Sequence, residues 1–112
     1  MKKFLVLYES TASASEQMRH ATPEQAKAGM DAWMSWAGRV GSGIVDLGSP
    51  VAAAARLSGP TQVATGKSPV GGYSILQAES KDALMNLFRN HPHFMLPGAS
   101  IEVFEFLPMP GM

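Results

Sequence analysis

The sequence predicts an α+β sandwich in the order β-α-β-β-α-β, and three observations carry that expectation. The stretch from Gly71 to Phe106 reads as strand, helix, histidine-bearing turn and strand: G-G-Y-S-I-L-Q-A, S-K-D-A-L-M-N-L-F-R, N-H-P-H-F and S-I-E-V-F-E-F. Lys2 to Val40 already sets the same strand-then-helix order, so the chain divides into two β-α-β halves. Finally, 112 residues, 46% of them hydrophobic, suit one domain over residues 1–112. A second domain would leave neither half enough apolar surface to offset its chain entropy.

Phe4 to Tyr8 is a continuous apolar run, so both faces of this first strand want burial and it belongs in the middle of the sheet. Ser10 to His20 is small and polar and reads as a loop. A helix then opens with Thr22 as N-cap, Pro23 at the first helical position and Gln25 closing a capping box. Ala26, Met30, Trp33, Met34 and Ala37 recur on one face, and Lys27, Asp31, Ser35 and Gly38 form the opposite stripe. Gly41 and Gly43 end the helix and lead into a short strand, Ile44 to Leu47, closed by Gly48-Ser49-Pro50. Val51 to Pro69 reads as a ragged hairpin at the sheet edge, although its four consecutive alanines fit a helical turn equally well. The second helix has Ser80 as N-cap, Asp82 in its first turn, an apolar side of Ala83, Leu84, Leu87 and Phe88, and a stop near Asn90 set by Pro92. Ile101 to Phe106 is the last strand, followed by L-P-M-P-G-M, whose prolines cannot continue a ladder.

With right-handed crossovers this order places both helices on one face of a four-stranded antiparallel sheet, the ferredoxin-like arrangement. The other face is then bare, and the doubly apolar first strand would leave side chains in water at about 25 cal/mol per Å² of apolar area. A second copy stacking its sheet on this one answers that, so the pattern implies a homodimer with clefts at the strand ends.

Composition excludes several classes. Nine Lys plus Arg balance nine Asp plus Glu, so the chain lacks the basic field that nucleic acid or an anionic membrane requires. Without cysteine there is no disulfide framework, thiolate nucleophile or thiolate metal site. Five apolar residues between Lys3 and Glu9 are too few for a signal peptide or a bilayer span, which leaves the cytoplasm as the expected location. There is no G-x-S-x-G elbow, no Walker loop and no dinucleotide fingerprint, and Gly41-Ser42-Gly43 lacks both the third glycine and a following helix. No cofactor is implied.

The run G-G-Y-S-I-L-Q-A-E-S-K-D-A-L, then H-P-H-F and P-G-A-S-I-E-V, with the opening K-K-F-L-V-L-Y, resembles the YCII-related (DGPF-type) family of small dimeric α/β-barrel proteins. The likeness covers nearly the whole chain apart from Val51 to Pro69, where Gly66-Lys67-Ser68-Pro69 stands at best for the absent D-G-P-F. It implies a ferredoxin-like fold and a dimer. Activity is unassigned for most such proteins, while the wider superfamily includes small isomerases, lyases and cofactor-free oxygenases. Family members place a His on the first helix opposite an Asp in a D-P-F/Y turn after the second, as an acid/base pair. Here the turn is H-P-H, so the family's Asp falls on His91 and the helix position near Asp31, which swaps the partners. A carboxylate orienting an imidazole still meets the needs of acid/base chemistry.

Two function classes follow: a small cofactor-independent enzyme acting on a compact aromatic or enolic metabolite, or a non-catalytic dimeric binding or accessory module using the same cleft. In the first, His91 and His93 carry protons, Asp31 orients, and Tyr73, Trp33 and Trp36 wall the pocket. Plainer roles stand beside these. Asp31 lies one turn from Lys27 and suits a solvated i, i+4 pair. His91 suits a helix C-terminus, where its charged form favours the macrodipole, and His93 a surface turn. Trp33 and Trp36 suit the core, and Met30, Met34, Met85 and Met95 suit gaps in it. H-x-H with a distant His20 is too sparse a set for a metal.

Overall fold

Four strands pair in the order β2-β5-β1-β6 in the computed structural model, which describes residues 1–111. They are β1 (Lys2–Glu9), β2 (Ile44–Pro50), β5 (Val70–Ala78) and β6 (Ser100–Glu105), and every neighbouring pair is antiparallel. The helices are α1 (Ala14–His20), α2 (Pro23–Val40) and α3 (Lys81–Leu87), with 3-10 turns at Gly41–Gly43 and Pro92–Met95. Sheet order and helix order are those of the ferredoxin-like arrangement, and the doubly apolar β1 is central as expected.

The pleat separates two faces. Phe4, Val6 and Tyr8 of β1 and Ser74, Leu76 and Ala78 of β5 are buried against the helix layer with Trp36 and Leu84. Leu5 and Leu7 point the other way, where Leu5 pairs with Ile75 and Phe104 and Leu7 with Tyr73. Phe104 and Val45 on the outer strands are 45% and 44% exposed, so one apolar sheet face has no cover within the chain.

Two glycines shape the path from α2 through β2. Gly41 caps α2 with φ 62°, and its N–H bonds the Ala37 carbonyl. Gly48, at φ 87°, lies where the register shifts between Asp46 and Ser49, and a Cβ there would sit 1.6 Å from the Tyr73 carbonyl oxygen. Only glycine fits that approach.

Four expectations need correction. Residues 14–20 are helical rather than looped, with Ser13 as N-cap accepting from the Glu16 N–H at 3.1 Å. The Val51–Pro69 hairpin, β3 (Ala55–Leu57) with β4 (Val63–Thr65), forms its own two-stranded sheet and does not extend the main one. α3 ends at Leu87, before Asn90. The methionines are not core: Met30, Met34, Met85 and Met95 are 62%, 54%, 42% and 78% exposed. For Met30 the reason lies in α2, whose 18 residues span about 27 Å at 1.5 Å per residue. Only the half from Trp33 onward packs on the sheet, and residues 21–31 are exposed on every side. Projecting helix and hairpin also explain a radius of gyration of 15.7 Å, against roughly 13–14 Å for a compact chain of this length.

The capping box at Thr22 is present as expected: Gln25 N–H donates to Thr22 Oγ1 at 3.1 Å, and Thr22 N–H to Gln25 Oε1 at 2.9 Å. Because no packing supports this half of the helix, the cap is its main restraint. Thr22→Ala is expected to cost about 1 kcal/mol of local stability, read as faster amide exchange over residues 25–31. A change below a few tenths would place the restraint elsewhere.

No helix among the described residues is long and apolar enough to cross a membrane.

Candidate functional site

The Phe88 to Leu96 segment brings both histidines of the H-P-H turn under the helix layer. Pro92 fixes the turn, so His91 becomes its N-cap: the His91 ring Nδ1 accepts the His93 backbone N–H at 3.0 Å. That bond assigns the proton of the neutral imidazole to Nε2, which is buried without a hydrogen-bond partner. The ring is 2% exposed and lies against aromatic neighbours: Trp36, Trp33 and Tyr8 have ring centroids 4.3, 4.7 and 5.1 Å away. Burial, then the nearby His93 and Arg39, push the His91 pKa down to about 3, so it is a neutral ring at physiological pH.

His93 faces the strand ends. Its Nε2 lies 2.8 Å from the Glu9 carbonyl and 3.0 Å from that of Ser100, and two carbonyl acceptors require the proton on Nε2. The ring ties the turn to the end of β1 and the start of β6. Between Tyr8 and Glu9 the β1–β5 register slips, with Gly71 as the extra residue, so the ladder is irregular at the end His93 grips.

Tyr8 completes the cluster, and the sequence reading did not include it. Its hydroxyl donates to Ser74 Oγ at 2.9 Å, and Ser74 in turn to the Leu47 carbonyl at 2.6 Å. Burial lifts the phenol to about 12 despite the opposing Ser74 bond. The signal available for Tyr8 was its place at i, i+2, i+4 with Phe4 and Val6, which puts it on the helix-facing side of β1.

The structure thus brings His91, His93, Trp33 and Trp36 together and leaves two expected partners out. Asp31 is exposed and sits 3.7 Å from Lys27 Nζ, while the hydrogen bonding of His91 runs to the His93 backbone; no carboxylate orients that ring. Helix phase explains this: Asp31 shares the solvent stripe with Lys27, on the half of α2 that overhangs the sheet. Tyr73 lies on the bare sheet face, its hydroxyl 3.4 Å from Asp46 Oδ2, and cannot wall a pocket containing Trp33. Trp36 is 1% exposed and donates its Nε1–H to the Leu87 carbonyl at 2.7 Å, which locks α2 to α3.

Beside the cluster, at the sheet end held by His93, lies an open groove of about 940 Å³. Glu9, Ser10 and Ser100 border it from β1 and β6, Ser13 and Glu16 from the start of α1, and Lys67 from the hairpin base. Its titratable side chains are Glu9, Glu16 and Lys67; neither His91 nor His93 lines it. No group of three or more His, Asp or Glu side chains among the described residues converges as metal ligands.

No protein-family model and no curated protein sequence matches the chain. Among solved structures, the chain is similar to the 5-chloro-2-hydroxyhydroquinone dehydrochlorinase of Burkholderia phenoliruptrix AC1100, determined in complex with 2,5-dihydroxybenzoquinone. The TM-score is 0.48 and the identity 16%, with 91% of each chain covered. A likeness at this level assigns neither a substrate nor a reaction to this chain.

Proposed function

We propose that residues 1–112 form one YCII-like domain that works as a homodimer and binds a compact, oxygen-rich small molecule in the sheet-end groove, without chemistry at His91. The observation that carries this is the contrast between the groove and the histidines. The groove is open and bordered by serine hydroxyls, backbone, one lysine and the carboxylates of Glu9 and Glu16. His91 is neutral, enclosed and without a carboxylate partner, as a structural N-cap would be. His93 supports the groove from behind by holding the Glu9 and Ser100 carbonyls. Polar groups placed on a concave wall fix ligand orientation, and that is the form of recognition this groove offers.

A second reading, the cofactor-independent isomerase, lyase or oxygenase, is favoured by one feature: Glu9 is a half-buried carboxylate on the groove wall, adjoining the backbone that His93 grips. There Glu9 would take a proton from the ligand and return it, while His93 would hold the backbone that positions Glu9.

A thermal-shift screen against hydroxy-acid, keto-acid and phenolic metabolites tests both readings, since a ligand at roughly 100 times its Kd stabilises by about 2.7 kcal/mol. The binding reading expects a hit whose amide shifts map to residues 9–16 and 66–70 and whose own proton spectrum stays unchanged in D2O. Conversion or deuteration of the hit, lost in Glu9→Gln, would replace it with the enzymatic reading. Hits that shift other residues, or none at all, would remove both.

A further inference from the structure

A separate cleft of about 310 Å³ opens where the C-terminal ends of α2 and α3 meet. Val40 and Leu87 supply its apolar surface over the buried Trp36, and Arg39, Arg89, Asn86 and Asn90 line the rest. We infer that this cleft is a second binding site, for a small carboxylate carrying a flat apolar body.

Charge comes first. The chain has no net charge, yet this lining holds two guanidinium groups and no Asp or Glu. The ion pairs among the described residues are Lys2–Glu105 and Lys27–Asp31, so neither arginine is neutralised by a carboxylate there. A cation near a helix C-terminus complements the macrodipole, and that accounts for Arg39 in the last turn of α2. Arg89, just past the end of α3 at Leu87, turns to the same cleft. Two planar forks beside one apolar surface are suited to a carboxylate, which takes two parallel N–H···O bonds from a guanidinium.

The apolar surface sets the rest of the ligand. Trp36 is held by its 2.7 Å bond to the Leu87 carbonyl, so the surface under the arginines is rigid before anything binds. Its volume is at the small end of ligand sites, which run from about 300 to 1,000 Å³. A single ring with its carboxylate fits that space. Asn90, at φ 55°, is the only non-glycine described residue with a positive φ, and its place in the lining adds an amide to the polar edge.

The test is a benzoate titration of the wild-type protein followed by two-dimensional NMR of the Trp36 indole N–H and the arginine Nε–H groups. Benzoate at roughly 50 mM, far above a millimolar Kd, is expected to shift Trp36, Arg39 and Arg89 together. Arg39→Gln and Arg89→Gln are each expected to weaken binding about tenfold or more, and both should stay folded because both side chains are exposed, with Arg39→Gln melting a few degrees lower for loss of its helix-end charge. Inorganic phosphate is expected to bind about tenfold more weakly than benzoate for want of the apolar contact. The inference is overturned by an absence of shifts, by shifts at the Lys67 groove instead, by glutamine variants that bind as well as wild type, or by phosphate matching benzoate. Locating the shifts on the wild-type protein keeps the test valid even if a variant folds poorly.

Discussion

Val6→Lys is expected to leave no folded protein at neutral pH. Val6 is completely buried on the helix-facing side of β1, opposite Ser74 and Val103, with no carboxylate in the cluster it belongs to. A lysine enclosed there either stays charged at several kcal/mol or loses its proton after a pKa drop of up to about 3–5 units. At neutral pH shedding the proton costs up to about 4–5 kcal/mol, and the extra side-chain volume adds about 1–3 kcal/mol of overpacking. A small domain has about 5–15 kcal/mol in total. Leu5→Lys is the informative contrast, because Leu5 sits one residue away on the bare face beside Ile75 and Phe104. It is expected to keep a native circular-dichroism spectrum while converting the proposed dimer to a monomer in light scattering. A wild-type melting temperature for Val6→Lys would contradict the assignment of faces, and a Leu5→Lys protein that stays dimeric would contradict the proposed use of the bare face.

What was legible in the sequence is what short-range physics decides. The caps at Thr22 and Ser80 were readable because a hydroxyl meets an N–H three residues on whatever the rest of the chain does. The centrality of β1 was readable because its apolar run serves two faces. The same local signal marked α1, where Ser13 stands three residues before Glu16, but with Met18 as the only large apolar side chain there was no repeat to support it. Periodicity gave the phase of α2 but not its coverage. Ala26 and Met30 share a stripe with Trp33 and Ala37, yet how far the sheet reaches under a helix depends on strand register and not on helix sequence. The surroundings of the histidines were hidden for the same reason. The H-P-H turn announced two histidines held close by a proline, and their burial against Tyr8, Trp33 and Trp36 required the tertiary fold. Asp31 was matched to His91 by position in a family pattern, whereas its own helix phase, one turn from Lys27, already pointed to solvent.

Acidification is expected to destabilise the protein through His91 well before the carboxylates titrate. The ring has a pKa of about 3 in the folded chain, against an ordinary value near 6.5. Between those values the unfolded chain therefore binds the proton that the folded chain refuses, and stability falls as pH falls. Above about pH 6.5 both states hold a neutral ring and the contribution is fully present. Below it the loss approaches about 1.4 kcal/mol per pH unit, on the order of 5 kcal/mol by pH 3. The diagnostic window is about pH 6.5 to 5, above the ordinary carboxylate range, where urea denaturation should show a fall of roughly 1–2 kcal/mol. His91→Asn provides the control, because its side-chain oxygen can still accept the His93 N–H as an N-cap while nothing on it titrates. Its baseline should be lower, since a smaller side chain leaves space beside Trp33 and Trp36, but its pH slope in that window should be shallower by the His91 contribution. Equal slopes in the two proteins would mean that His91 takes up its proton without unfolding, and the ring resonances would then move along a titration curve near pH 6 while the rest of the spectrum stayed native.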